Sequence, residues 1–220
     1  MLTKAEDLDI THVGGVATRI LTSAGRMNRM VSDLLDLTRT RLGVGIPVTP
    51  KPTDLTPLCR QVVAELEAIH PDCQLQFESK GDLHGEWDSD RLTQVISNLV
   101  ANALQYGCED GAVRVVAQAH ADEVVLRVHN EGPPVSEEAM KKIFEPMNRQ
   151  PNPNGDKHST GLGVGLYLAR EFCVTNRAVL SYSSRREVDG SSRDGFLLRF
   201  GGGALVGNEQ QGFLDTLPIR

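Results

Sequence analysis

Two asparagines that share one helical face are the residues of this sequence best suited to hold a ligand. Asn98 and Asn102 are four positions apart within residues 90–107, so their side chains project one turn apart from the same face of a helix. Amide groups beside an apolar stripe need partners for each oxygen and each NH2 group. Either the fold supplies these partners, or a ligand with a hard cation such as Mg²⁺ does, because an amide oxygen suits that ion.

Three alternating glycines form a second motif that could bind a ligand. Gly161, Gly163 and Gly165 stand directly ahead of a helical pattern. Without β-carbons, successive backbone N–H groups can approach a phosphate, and the helix N-terminus adds partial positive charge. The GxGxGL spacing counts against a Rossmann dinucleotide site, and the absence of GxxxxGK excludes a P-loop. The motif therefore predicts a phosphate-binding loop, with a flexible turn as the other interpretation.

The helix that carries the asparagines must be buried along its apolar face. That face recurs at three- and four-residue spacing and consists of Leu92, Val95, Ile96, Leu99, Val100 and Ala103. Strand patterns fall at 74–79, 113–119, 124–128, 178–183 and 196–200, and helical patterns at 58–66, 136–143 and 164–173. This arrangement predicts an α+β fold, a two-layer sandwich with helices on one face of a mixed sheet.

A long helix over residues 8–42 precedes this domain. It carries a heptad seam, which consists of Ile10, Val13, Ala17, Ile20, Ala24, Met27, Val31 and Leu34. A seam of this length must be buried against another helix, so we expect a homodimer; the alternative is a helix folded back on its own domain. The glycines and prolines of residues 44–57 predict a linker, in which Asp54 caps the next helix.

The order of four segments resembles the nucleotide-binding boxes of a known catalytic domain. The asparagine helix is followed by VHNEGPPV (128–135), IFEPMNR (143–149) and STGLGVGL (159–166). These segments resemble the N, G1, F and G2 boxes of sensor histidine kinases, whose ATPase fold is shared with gyrase and Hsp90. Residues 26–43 resemble the second helix of the kinase dimerisation and phosphotransfer domain. The resemblance implies a partial dimerisation helix (1–43), a linker (44–57), an ATP-binding domain (58–202) and a disordered tail (203–220).

The resemblance also implies a role for individual residues. Asn102 would ligate Mg²⁺, Asn98 would lie on the phosphate side, and Tyr106 would lie against the nucleotide. The full set of implied ATP contacts is Asn98, Asn102, Gln105, Tyr106, Asn130, Gly132, Arg149, Thr160, Gly161, Leu162, Gly163, Gly165 and Leu166.

Three positions depart from the family pattern. Gln105 stands where the family commonly has a lysine, and Pro134 stands where it has a glycine. Asn130 replaces an aspartate that, in the family, accepts a hydrogen bond from the adenine amino group. Arg149, Lys157 or His158 could restore the missing positive charge. A neutral Asn130 should bind adenine more weakly than a carboxylate would.

The implied function is an ATP-dependent protein kinase with ATP and Mg²⁺ as cofactors. The γ-phosphate would pass to a histidine and then to a response regulator. His12 is followed by Val13 and not by an acidic residue, so we expect the acceptor to lie outside this sequence and the chain not to phosphorylate itself. ATP-hydrolysing relatives have a glutamate at the position of Asn98, which favours transfer over hydrolysis. The alternatives are a degenerate dimeric scaffold or phosphotransfer partner and, more weakly, an anti-sigma-type serine kinase.

Composition limits the other possibilities. The 220 residues have a net charge of −6 and a pI near 5.5, which argues against a nucleic-acid partner. With no long apolar run and no leader pattern, we expect no membrane contact and a cytoplasmic location. The four cysteines are widely spaced, which favours free thiols over a zinc site or disulfides.

Overall fold

A five-stranded sheet covered on one face by helices forms the body of the chain. The computed structural model describes residues 10–107, 111–132, 135–148, 162–176, 178–186 and 192–201. The helices are α1 (Ile10–Arg41), α2 (Leu55–Ile69), α3 (Ser89–Tyr106), α4 (Glu137–Lys142) and α5 (Gly165–Thr175). The strands are β1 (Lys51–Asp54), β2 (Leu75–Lys80), β3 (His84–Trp87), β4 (Val113–Ala119), β5 (Glu123–Gly132), β6 (Ala178–Arg186) and β7 (Ser192–Gly201).

The sheet is mixed, as the sequence predicted. Its strand order is β2-β4-β5-β7-β6, with β2 parallel to β4 and every other neighbouring pair antiparallel. Alternate residues face the helical layer, and those of β5 and β7, including Val128 and Phe196, lie in the core. The opposite face carries polar side chains such as Glu123 and Arg199, whose ion pair measures 3.0 Å. The chain therefore has the predicted two-layer α+β architecture.

Helix capping sets where three helices begin. The side chains of Asp54, Asp88 and Ser136 accept hydrogen bonds from backbone N–H groups in the first turns of α2, α3 and α4. The cap at Asp54 confirms the sequence prediction for this position. Trp87 is 8% exposed and packs in the core.

The segment expected to be a linker is partly regular. Residues 51–54 form β1, which pairs antiparallel with β3, and α2 already begins at Leu55. β3 lies where only a connection to the asparagine helix was expected. Pro52 is tolerated because β1 is an edge strand in a two-stranded ribbon. The predicted disordered tail lies outside the described residues.

The long first helix contacts its own domain through its C-terminal part. Leu37 is 6% exposed and joins the main core, whereas Ile20 and Met27 of the heptad seam are more than half exposed. None of the described helices combines the length and the hydropathy that crossing a membrane requires.

Candidate functional site

A cleft of about 530 Å³ runs along the polar face of α3. α3 buries its apolar side against the sheet and α2, which leaves Asn98, Asn102 and Gln105 on the open side. The cleft lining combines residues from α1, α2, α3, the segment after α4, and the start of α5. Those from the predicted site are Asn98, Asn102, Gln105, Tyr106, Gly163, Gly165 and Leu166.

Asn98 ties α3 to the start of α5. Its Nδ2 donates to the carbonyl oxygen of Gly165 over 3.2 Å. A β-carbon added at Gly165 would lie 3.0 Å from Cγ of Asn98, so a larger residue here would push against the Asn98 side chain. The fold itself therefore satisfies part of the Asn98 amide, and Asn98 holds the glycine loop against α3.

Asn102 differs from Asn98 in its partners. Its side chain is half-buried and lines the cleft, and it makes no hydrogen bond to any residue that the structure describes. A half-buried amide without a protein partner can use its oxygen for a ligand. The oxygen fits a hard cation such as Mg²⁺, which takes few protein ligands and keeps water and phosphate oxygens.

The glycine loop brings the N-terminus of α5 to the cleft. Gly163 has a positive φ of 72°, which favours glycine, and its carbonyl oxygen accepts from the N–H of Met147 over 2.9 Å. No side chain in the part of the chain that the structure describes caps the first turn of α5, so its N–H groups can bind an anion. Leu166 lines the cleft, whereas Leu162 is 40% exposed and does not.

Asn130 and Gly132, from the segment at 128–135, lie beside the C-terminus of α3. Asn130 is 4% exposed and stands near the end of β5, where its Cβ approaches Gly107. Gly132 lies against the carbonyl oxygen of Tyr106, which would be 2.8 Å from an added β-carbon. Asn130 and Gly132 thus pack against the C-terminus of α3 and are not among the residues that line the cleft.

Helix α1 forms a wall of the cleft that was not predicted. Arg26, Arg29 and Asp33 line the cleft opposite the α3 amides. The two helices run antiparallel, since Arg91 of α3 pairs with Asp36 of α1 and Gln94 donates to Asp33. Burial raises the pKa of Asp33 above its ordinary value, and its hydrogen bond with Gln94 partly offsets that effect.

Some predicted residues cannot be placed, and others were missed. Arg149, Thr160 and Gly161 lie outside the described residues, as do Pro134 and the lid residues Lys157 and His158. Sequence reasoning missed Arg26 and Arg29, which lie 60 or more positions before α3. It also missed that Asp194 of β7 pairs in register with Asn130. No local pattern marks either of these long-range contacts.

Comparison with protein families and curated proteins gives consistent results. Residues 87–201 match the family described as histidine kinase-, DNA gyrase B-, and HSP90-like ATPase. The chain is 33% identical over 169 residues to a bacteriophytochrome of Pseudomonas aeruginosa, a match that covers 77% of this chain and 23% of the relative. It is 31% identical over 175 residues to the sensor protein kinase PilS of the same organism. This match covers 76% of this chain and 31% of PilS. The chain therefore spans less than a third of these relatives.

Solved structures show the same fold. The catalytic domain of histidine kinase ThkA superposes with a TM-score of 0.56 at 25% identity, covering 70% of this chain and 95% of that one. ThkA in complex with the response regulator protein TrrA gives a TM-score of 0.60 at 22% identity, covering 91% of this chain and 53% of the other. The second match extends over α1 as well as the sandwich, because it covers most of the chain.

Proposed function

The chain belongs to the family of histidine kinase-, DNA gyrase B- and HSP90-like ATPases, as the catalytic ATPase domain of a two-component sensor histidine kinase, and we propose that its cleft binds ATP together with Mg²⁺. One observation carries the proposal. The amide of Asn102 and the uncapped N-terminus of α5 face the same cleft, so a cation site and an anion site lie side by side. A metal-bound triphosphate requires this pairing.

Different residues of the cleft would contact different parts of the nucleotide. Asn102 would ligate Mg²⁺, which when bound neutralises charge on the phosphates. The N–H groups at the start of α5 would donate hydrogen bonds to phosphate oxygens, and Asn98 fixes that helix start through Gly165. Tyr106 and Leu166 flank the nucleotide, while Gln105 faces the phosphate side without a charge. The implied contacts Arg149, Thr160, Gly161 and Leu162 belong to this proposal as well.

The reaction that follows from this arrangement is direct phosphoryl transfer. A histidine nitrogen attacks the γ-phosphorus, the bond to the β–γ bridging oxygen breaks, and ADP leaves with that electron pair. Asn98 cannot take a proton from water, because a neutral amide is no base and its NH2 group is bonded to Gly165. The site therefore favours transfer over hydrolysis.

The acceptor and the partners are further parts of the proposal. We place the acceptor histidine on a segment other than these 220 residues, because His12 is followed by Val13. The heptad seam on α1 would pair two copies, and a response regulator would receive the phosphate, in line with the complex of ThkA with TrrA. ATP supply places this activity in the cytoplasm.

Calorimetric titration with a non-hydrolysable ATP analogue tests the site. We expect saturable binding that requires Mg²⁺ and that weakens by about tenfold or more in Asn102→Ala, because the variant removes the metal-facing oxygen. Asn28→Ala is the matched control, since Asn28 is exposed on α1 and does not line the cleft. Its affinity should equal that of the unchanged chain.

Two results would contradict the proposal. A folded chain that does not bind the analogue would favour a scaffold role and make Gln105→Lys the first substitution to try. Acid-labile phosphate on the chain after incubation with ATP would contradict the expectation that the acceptor lies elsewhere.

A further inference from the structure

Positive charge is unevenly distributed around the cleft. The wall formed by α3 contributes neutral amides, those of Asn98, Asn102 and Gln105. Among the described residues that line the cleft, the only arginines or lysines are Arg26 and Arg29, and both belong to α1. A nucleotide triphosphate carries several negative charges that must be neutralised for phosphoryl transfer. Resting on the proposed ATP site, we propose that Arg29 supplies a positive charge to the phosphates, so that the site is complete only when α1 is docked on α3.

The pairing of α1 with α3 determines which residue of α3 stands opposite Arg29. Arg91 and Gln94 of α3 are three positions apart, and they contact two aspartates of α1 that are also three positions apart. A further step of four positions along each antiparallel helix leads to Asn98 on α3 and to Arg29 on α1. Residues three and four positions apart lie on one face of a helix. Arg29 therefore stands opposite Asn98, and both residues line the cleft.

The anion site lies on the side of the cleft that Arg29 faces. Asn98 donates to the carbonyl oxygen of Gly165, which is the first residue of α5. The N–H groups at this helix start can bind an anion. Because Arg29 stands opposite Asn98, its long side chain can reach from α1 the region that the N-terminus of α5 borders from the other side. A guanidinium and the positive end of a helix dipole would then act on the same phosphates.

The guanidinium of Arg29 is not committed to a protein partner within the described part of the chain. Arg29 is exposed, and it forms no ion pair with any residue there. The acid one turn away, Asp33, already accepts a hydrogen bond from Gln94. Burial raises the pKa of Asp33, and the positive charge of Arg29 is among the effects that oppose this rise. Arg29 can therefore exchange water for a phosphate, whose oxygens match the planar donors of a guanidinium.

Arg29 can serve the nucleotide site only while α1 is docked on the domain. The pair of Arg91 with Asp36 joins α1 to α3, and Arg91 is not among the residues that line the cleft. Loss of this pair would therefore withdraw Arg29 from the phosphates without altering the cleft itself. Because coupling between two equilibria is reciprocal, phosphates bound by Arg29 would in turn strengthen the docking of α1.

The ratio of the affinities for a non-hydrolysable ATP analogue and for adenosine tests the proposal, because it isolates the contribution of the phosphates. Calorimetry on the full chain with Mg²⁺ measures both affinities. Arg29→Gln should lower the ratio by about fivefold, the effect expected of one solvent-screened charge. Adding Gln105→Lys to that variant places a cation on the opposite wall and should restore most of the ratio. Arg91→Ala should lower the ratio to a similar extent, and adding Arg29→Gln to it should have no further effect.

Controls separate this inference from the proposed function. Arg19→Gln removes one positive charge from α1 outside the cleft lining and should leave the ratio unchanged. Thermal unfolding verifies that each variant is folded at the temperature of the titration. An unchanged ratio in Arg29→Gln, with the analogue still bound, would overturn the inference alone, and an unchanged ratio in Arg91→Ala would overturn its dependence on docking. If the unchanged chain binds neither the analogue nor adenosine, both the proposed function and the inference fall.

Discussion

The two faces of α1 invert the usual relation between polarity and burial. The seam face is apolar yet exposed, with Ile20 at 62% and Met27 at 61%. The opposite face carries charged residues yet packs on the domain, with Asp36 only 2% exposed. We refer to these as the seam face and the docking face. An apolar stripe left in solvent is typical of an interaction surface. This exposure favours the proposed pairing of the seam face with a second helix, whereas the docking face fixes where α1 sits.

Directional hydrogen bonds fix the position of the docking face on the domain. The guanidinium of Arg91 donates to both carboxylate oxygens of Asp36, and Nε2 of Gln94 donates to Oδ1 of Asp33 over 2.9 Å. The hydroxyl of Tyr167 on α5 lies 3.3 Å from that of Thr40. Buried ion pairs add little net stability, because desolvation offsets much of their attraction. Their geometry nevertheless selects one register of α1 on α3.

The largest expected effect comes from charging the seam face. Ile20→Glu combined with Met27→Glu would place carboxylates in the apolar interface of a dimer, where each costs several kcal/mol. The dissociation constant should rise by about a thousandfold or more, and the mass measured by light scattering should change from dimer to monomer.

Arg19→Glu is the matched control for the seam. Like the double variant it changes the net charge by two negative units, but Arg19 lies outside the heptad seam. This variant should remain dimeric. If the unchanged chain is monomeric at every concentration tested, the seam face is not a self-association surface and the contrast between the two faces loses its explanation.

Breaking the docking face has the next largest effect. Arg91→Ala leaves Asp36 buried without its guanidinium, and removing one partner of a buried pair typically costs about 3–5 kcal/mol. We expect about 3 kcal/mol, the lower end of that range, because α1 can separate from the domain and return Asp36 to water. Urea unfolding measures the loss.

The exposed pair between Lys142 and Glu138 provides the comparison for Arg91. It joins α4 positions four residues apart, and exposed pairs of this kind contribute about 0.3–0.5 kcal/mol. Lys142→Ala should therefore change the free energy of unfolding far less than Arg91→Ala does. Equal effects would mean that the docking face does not hold α1 in solution.

A smaller effect concerns the wall that α1 adds to the cleft. Arg29→Gln removes a positive charge that faces the α3 amides, and a single solvent-screened charge contributes about 1 kcal/mol or less. Affinity for the ATP analogue should fall by about fivefold while affinity for adenosine, which lacks phosphates, stays constant. Arg19→Gln on the same helix is the control. A loss of adenosine binding would point instead to general disruption of the site.

Sequence patterns predicted what depends on nearby residues. α3 was expected at 90–107 and occupies Ser89–Tyr106, because its apolar period and its flanking residues are local signals. The cap of α2 at Asp54 was predicted for the same reason. The motif order also predicted that Asn98, Asn102 and Gly165 lie together, and all three line the same cleft.

Contacts between distant segments could not be predicted in this way. β3 has only four residues, and its pairing with β1 joins positions 30 or more apart. The pair of Asp36 with Arg91 and the position of Asp194 beside Asn130 depend on tertiary packing. A single sequence shows the charges of these residues but does not show which of them become neighbours.

The smallest expected effect tests whether burying the charge of Asp33 on the docking face lowers the free energy of unfolding. Burial raises the pKa of Asp33, so the folded chain binds a proton here more readily than the unfolded chain does. The associated stability is fully present below the unfolded pKa and is lost as pH rises through the raised folded pKa. Asp33→Asn keeps an oxygen that can accept from Gln94 and removes the charge. At pH 7 it should raise the free energy of unfolding by about 0.5 kcal/mol or less, and the difference between the two chains should vanish on acidification. If the variant is less stable than the unchanged chain at pH 7, the charge on Asp33 supports docking, and the polar face stabilises α1 as well as orienting it.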